Sequence, residues 1–320
     1  MANFTFKDIF SLLKTSVSEF LDNDSLRLAA ALAFNAIFSI PPLLLIIIKA
    51  AGFFLGEAAV SGELSNQIST AVGPDAAKEV ENIVQNATLS ESGWALWVGI
   101  GTLLFAGTTF FVTLQQSLNT VWNLKVKPTN GIMRMAKERI FSFGIILSIA
   151  LLMLFSLVLS AAIAILSDYI SRLLPGLGVW ILKLVDFVVS VGLISLLFAL
   201  IFKYLPDGII RWRDTFIGAI VTALLFGLGK FLISWYIGTS DPGSAYGAAG
   251  SIILILVWIY YSSMIVFFGA EFTQQYAQLY GQRIRAKEHA VFVRLVEETS
   301  DKEDTKSGRP KPEGRFNKNP

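Results

Sequence analysis

The chain of 320 residues is 54% hydrophobic and only 16% charged, and its mean hydropathy is +0.61. Soluble domains carry nearer a quarter charged residues, so the composition argues against a water-soluble fold. Cysteine is absent and histidine occurs once, which removes disulfide and thiol chemistry and most metal and imidazole chemistry; a net charge of +2 selects no partner by itself.

In chain order, Phe6, Phe10, Leu13, Val17 and Phe20 recur at alternating steps of four and three, with Lys7, Lys14 and Ser18 elsewhere. That spacing predicts an interfacial amphipathic helix inside an N-terminal segment, 1–28, without the continuous apolar core of a signal peptide. Six apolar runs follow at 29–53, 94–121, 140–166, 179–203, 214–238 and 246–270, each long enough to cross roughly 30 Å of hydrocarbon. Asp24-Ser25 stands ready to cap the first. Helices are the expected form, because stretches such as 146–166 do not alternate apolar and polar residues as a membrane barrel strand does. The connection 54–93 carries Val60, Leu64 and Ile68, then Pro74 ahead of Ala77, Val80 and Ile83, and predicts two short external helices. The expected class is an all-α integral membrane protein. Its six-helix transmembrane domain occupies 29–280 and its tail, 281–320, is polar and disordered from about 299.

Charge orients the spans, since cytoplasmic loops near a membrane hold an excess of Lys and Arg. The N-terminal segment, the second and fourth connections and the tail together hold 21 of the 26 Lys and Arg residues, against Lys78 and Arg172 in the opposite connections. Both termini are therefore expected in the cytoplasm. Trp94, Trp97, Trp122, Trp180, Trp235 and Tyr236 read as interfacial anchors.

Little in the sequence points to catalysis. The single His289 lies in the charged tail, away from any apolar cleft, and reads as a solvated surface group. Gly229-Lys230 has the ending of a phosphate-binding loop, but Leu224 stands where the first glycine belongs and Phe231 where Ser or Thr belongs. Asp186 is the only acid well inside a predicted span, too few ligands for a zinc hydrolase. Spacing alone leaves open Mg²⁺ held by distant carboxylates. The expectation is no enzyme, no cofactor, no metal and no nucleic-acid partner.

Polar residues at membrane depth carry more information, because hydrocarbon tolerates them only toward a bundle interior or a watery cavity. Asn35, Ser39, Pro42 and Lys49 share one face of the first span; Thr109, Thr113, Gln116, Thr120 and Asn123 share one of the second. Lys183, Asp186 and Ser190 share a face of the fourth, and Gly218, Thr222, Phe226, Lys230 and Ser234 one of the fifth, where small residues allow close helix approach. Lys49, Lys183, Asp186 and Lys230 fall in the outer half of the predicted topology. Three cations and one anion there suggest an outward cavity for an anionic group, with Asp186 and Lys230 within pairing range; the bland reading is lysines reaching for the interface and polar stripes that only pack helices. Pro41 and Pro42 remove donors from the first span, and with Gly227 and Gly229 of the fifth they are candidate flex points.

The segments 29–48, QQSLNTVWN (115–123), 203–238 and 244–272 hold spaced Leu-Pro-Asp, Tyr-Gly, Trp-Ile-Tyr and Gly-Ala-Glu elements. Together they resemble the YihY/BrkB family of six-span bacterial inner-membrane proteins, once described as ribonuclease BN, over residues 5–280. The resemblance implies the fold, the inner membrane and a link to envelope lipid handling. Family members often carry Tyr where this chain has Phe34, which removes a hydroxyl from the expected cavity wall. The leading functional expectation is a transporter or lipid-moving protein for an anionic or amphipathic solute. Lys230 and Asp186 stand at its core, with Lys183, Lys49, Asn35, Ser39, Thr113, Gln116 and Ser190 along the path and membrane lipids as partners. A non-transporting envelope scaffold is the alternative and a ribonuclease a third reading.

Overall fold

Long unalternating apolar runs coil into helices in the computed structural model, because a backbone without water must satisfy its own hydrogen bonds. The structure describes residues 6–72, 77–78, 81, 93–127, 177–240 and 250–293, and helical residues scattered between 139 and 155. In order these form α1 (Phe6–Asp22), α2 (Ser25–Leu55), α3 (Glu57–Val72), α4 (Gly93–Val121), β1 (Leu124–Val126), α5 (Leu177–Tyr204), β2 (Gly208–Ile209), α6 (Trp212–Ser240), α7 (Gly250–Leu279), β3 (Arg285–Ala286) and β4 (Ala290–Phe292). Among the described residues four stretches are long and apolar enough to cross a membrane: Ser25–Ile48, Phe187–Tyr204, Trp212–Ile233 and Ile252–Leu279. Their outer surfaces agree. Phe34, Phe38, Val188, Leu228, Phe231 and Val257 are all exposed, an arrangement that needs lipid rather than water as solvent.

Several element boundaries differ from the sequence reading. The apolar run of the last span ends at residue 270, but α7 continues to Leu279, since Glu271, Thr273, Gln274 and Gln275 are buried against neighbours rather than presented to solvent. Asp24 does not cap α2. It adopts a left-handed conformation (φ 53°, ψ 33°) with no side-chain capping bond, one that Asp tolerates better than most residues, and its carboxylate meets Arg27 at 3.0 Å. Asn123, with φ 55°, likewise ends α4 instead of extending its polar stripe. α2 runs through Pro41 and Pro42 to Leu55, and Gly56 (φ 87°) breaks the chain before α3, the first of the two expected external helices. The third predicted span, the second external helix and the tail beyond 293 fall largely or wholly outside the described residues.

Helices α6 and α7 cross with reciprocal glycines. A Cβ on Gly218 would stand 1.8 Å from Thr273 Oγ1, and one on Gly269 would stand 2.0 Å from Thr222 Oγ1. Each threonine hydroxyl donates back along its own helix, Thr222 to Gly218 O at 2.7 Å and Thr273 to Gly269 O at 2.6 Å, so neither brings an unsatisfied polar group into the contact. The core above this crossing joins Leu118 and Trp122 of the α4 end, Phe202 of α5, Ala219 of α6 and Phe267 of α7.

Two antiparallel ribbons close one end. β1 pairs with β4, Leu124 opposite Phe292, and β2 pairs with β3, Gly208 opposite Ala286. The residues after α7 therefore return across the connections that follow α4 and α5, a folded segment inside what reads from sequence as a tail. α1 lies on α7 through Leu12 and Tyr276 and an edge contact of Phe20 with Phe268. Phe10, Leu13 and Val17, three residues of its predicted apolar face, are left exposed.

Candidate functional site

Beneath the two ribbons the chain buries a polar layer, built where helices end. α5 stops at Tyr204 because Pro206 lacks an N–H and biases the residue before it away from helix. Asp207 follows, buried, with Gly208 next to it; a Cβ on that glycine would lie 2.9 Å from Ile284 Cγ2 and 3.1 Å from the Trp122 ring, so only glycine lets β2 lie this close.

Asp207 is the centre of the layer. Its Oδ2 accepts from Asn119 Nδ2 at 2.8 Å and from Gln115 Nε2 at 3.3 Å, while its own backbone N–H donates to Asn119 Oδ1 at 2.8 Å. Asn119 thus grips Asp207 with both ends of its amide. From the returning segment, His289 Nε2 lies 2.8 Å from Asp207 Oδ1 and carries the hydrogen of that contact, since a carboxylate only accepts. Lys287 donates from its backbone to Asp207 O at 3.0 Å and from Nζ to Pro206 O at 2.8 Å. Burial pushes the Lys287 pKa below its ordinary value, with the Asp207 carboxylate acting in the opposite direction. A buried carboxylate met on both oxygens is the satisfied form of an otherwise costly group.

A second buried carboxyl sits beside it. Glu271 of α7 is fully buried, and its Oε1 accepts from Asn23 Nδ2 at 2.6 Å; its Oε2 has no hydrogen-bond partner among the described residues. Asn23 Nδ2 also lies 3.4 Å from Val121 O, and the next residue, Trp122, donates its indole N–H to Ala270 O at 3.0 Å. The end of α4 therefore links the two carboxyls. Asp214, in the first turn of α6, is buried and accepts from Gln282 N at 3.2 Å, so the returning segment is tied a second time near a helix N-terminus that favours negative charge.

These placements correct three sequence readings. His289 is half-exposed but bound to Asp207, not simply solvated. Trp122 is fully buried, unlike the exposed Trp235 and Tyr236, because its indole N–H is consumed inside the bundle. Glu271 is a buried acid within the candidate span Ile252–Leu279, an acid that the sequence reading left outside any span. Chemically the layer can hold and orient an imidazole. Among the described residues no hydroxyl is hydrogen-bonded to that ring, and no three His, Cys, Asp or Glu side chains stand where a metal would need them.

The residues nominated from sequence lie elsewhere. Lys230 is half-buried on α6 and makes no hydrogen bond or ion pair among the described residues. Lys49 lies in α2, and Lys183 and Asp186 in α5, with side chains outside the described residues. Asn35 Nδ2 donates to Ala31 O of its own helix at 3.0 Å; Ser39 is buried, Thr113 half-buried, Gln116 and Ser190 exposed, and Pro41 and Pro42 half-buried. Gly227 faces open space, whereas a Cβ on Gly229 would meet the Tyr261 ring at 2.7 Å. None of the described nominees is hydrogen-bonded to another.

The residues of the layer were missed by one position. Thr109, Thr113, Gln116 and Thr120 form the stripe read from spacing, while the neighbouring register, Thr108, Gln115 and Asn119, is buried. Thr108 and Thr109 instead receive the Arg139 guanidinium, Nη1 lying 2.8 Å from each hydroxyl. A signal did exist: Gln115, Asn119 and Trp122 belong to the QQSLNTVWN element, Asp207 to Leu-Pro-Asp and Glu271 to Gly-Ala-Glu. The segments that carried the resemblance meet in space.

Comparisons with known proteins agree with that resemblance. A family model described as virulence factor BrkB matches residues 16–292. A UPF0761 membrane protein of Pseudomonas aeruginosa is 26% identical over 275 residues, covering 83% of this chain and 62% of that protein. One from Haemophilus influenzae is 26% identical over 254 residues, 79% of this chain and 90% of its own length. One from Psychromonas ingrahamii is 28% identical over 260 residues, at 79% and 83%. The chain thus spans about 62% of the length of the Pseudomonas relatives it matches. No solved structure matches.

Proposed function

Because the chain belongs to the virulence factor BrkB family of membrane proteins, we propose that it is a six-span protein of the bacterial inner membrane that moves an anionic or amphipathic solute, lipid included. Both termini face the cytoplasm, α1 lies in the membrane interface, and the polar layer under the ribbons marks the cytoplasmic end. The basic residues Lys125, Lys127, Arg211, Arg213, Arg283 and Arg285 around that end support this orientation. Phe10, Leu13 and Val17, uncovered by protein, supply the apolar face that an interfacial helix needs.

One observation carries the transport reading. Lys230 is half-buried inside the candidate span Trp212–Ile233 with no hydrogen-bonded or ionic partner among the described residues. A cation at membrane depth needs an anionic or polar counterpart, and an anionic solute fills that role. In this reading Asp186, Lys183, Lys49, Asn35, Ser39, Thr113, Gln116 and Ser190 border the path, Pro41-Pro42 and Gly227 flex, and the satisfied Asp207 layer stays fixed. The test is Lys230→Met in proteoliposomes, following movement of a fluorescent anionic phospholipid between leaflets. Movement should fall at least tenfold while the thermal transition is kept; unchanged movement refutes the role of Lys230.

The scaffold reading has its own support, since the buried amides of Gln115 and Asn119 in α4 are both spent on Asp207. It predicts no lipid movement by the wild-type protein. The chain is read as no enzyme, and RNA cleavage by purified protein with Mg²⁺ or Zn²⁺ would overturn that.

A further inference from the structure

A cavity of about 420 Å³ opens between α5 and the helical residues described from 139 to 155. Its floor and walls are apolar, from Ile145 and Leu152 on one side and Leu197, Leu200 and Ile201 on the other. Ile140, Gly144, Ser148 and Tyr204 complete it and are exposed, so it opens outward beside α5. The α5 residues lie within the candidate span Phe187–Tyr204. Water gains nothing in such a lining, whereas hydrocarbon fits it. Lipid tails are as apolar as leucine, however, so the lining cannot select one lipid over another. Selection has to come from the rim.

The rim beside Tyr204 is aromatic and cationic. The Tyr204 and Trp212 rings meet edge to face at 5.8 Å, Trp212 stacks on Phe216 at 5.4 Å, and Lys203 Nζ lies 5.5 Å from the Trp212 ring centroid. Lys203 donates to Ile210 O, which occupies one of its three donors. Arg211 and Arg213 flank Trp212 in sequence and are exposed. Arg139, at the other side of the cavity, is turned into α4 and spent on Thr108 and Thr109. Exposed Tyr and Trp belong at headgroup level, and the cations there complement a phosphate.

We propose that this cavity holds one acyl chain of an anionic phospholipid whose headgroup phosphate rests against Lys203, Arg211 and Arg213. The site goes beyond the transport reading and does not depend on it: a lipid held here is bound whether or not the protein moves solute past Lys230.

Native mass spectrometry of the full chain, delipidated in detergent and given phosphatidylglycerol or phosphatidylcholine of matched acyl chains, tests the proposal. The expected result is one retained lipid per chain, with phosphatidylglycerol preferred and glycerol phosphate alone not retained. A Cβ at Gly144 meets nothing within 4 Å, so Gly144→Trp fills the cavity and should lower retention at least tenfold; Ser148→Trp fills the same space from the next turn. Arg211→Gln and Arg213→Gln should keep occupancy but each cut the phosphatidylglycerol preference roughly fivefold. Equal retention of the two lipids by the wild type, or full retention by whichever tryptophan variant keeps the wild-type thermal transition, overturns the site. Retention of glycerol phosphate alone would overturn the acyl-chain assignment.

Discussion

Gly218 offers a quantitative test of how α6 and α7 meet. Its replacement by alanine places a Cβ 1.8 Å from Thr273 Oγ1 and 2.7 Å from Thr273 Cβ, both inside any real contact distance. Rotating Thr273 away breaks its bond to Gly269 O, a loss of about 1 kcal/mol, and still leaves the Cβ contact too short. The helices must then separate, and such overpacking costs about 1–3 kcal/mol. Alanine returns about 1 kcal/mol of helix propensity, so the net loss is about 2 kcal/mol, or roughly 3 °C in Tm for a chain of this size. Gly227→Ala, on the same helix with nothing within 4 Å of its Cβ, should leave the transition unchanged or raise it slightly. Adding Thr273→Ala to Gly218→Ala should rescue little, because the Cβ clash persists, while adding Thr273→Gly should recover most of the loss. Thermal unfolding in detergent followed by tryptophan fluorescence reads all four. If Gly218→Ala melts together with Gly227→Ala, the close crossing is wrong.

The buried carboxyls give two further expectations. Asp207→Ala removes the acceptor of Asn119, Gln115 and His289 and should destabilise by about 3 kcal/mol, releasing the segment after α7; trypsin should then cut at Arg283, Arg285 or Lys287 at least tenfold faster than in the wild type, and an equal rate would mean that Asp207 does not hold it. Glu271→Ala strands Asn23 and empties a fully buried volume, with an expected loss of about 3 kcal/mol, whereas Glu271→Gln keeps an acceptor for Asn23 and should lose no more than about 1 kcal/mol by the same melting assay.

Much of the fold is readable from hydropathy alone. The runs at 94–121, 179–203 and 214–238 each lie inside one observed helix, and the family follows from motif elements that the family match over residues 16–292 supports. Boundaries failed where a polar residue found a partner within the bundle: the last run reads as ending before Glu271, yet the helix carries that acid inside and continues to Leu279. Candidate residues failed for a related reason. Gln115 and Gln116 are adjacent and equally polar, and a helical period of 3.6 residues offers both faces to the reader; nothing local tells which faces inward.

Sequence by itself determined that this chain is a helical membrane protein of the BrkB family, because hydrocarbon leaves long apolar runs no other way to satisfy their backbones. Only the tertiary structure decided what its polar residues do. Asp207 is 88 residues from Asn119 and 82 from His289, and Glu271 is 248 from Asn23. Contacts over such separations leave no local period to read. They exist because the ends of α2, α4, α5 and α7 arrive at one place, where a buried charge must find its donors.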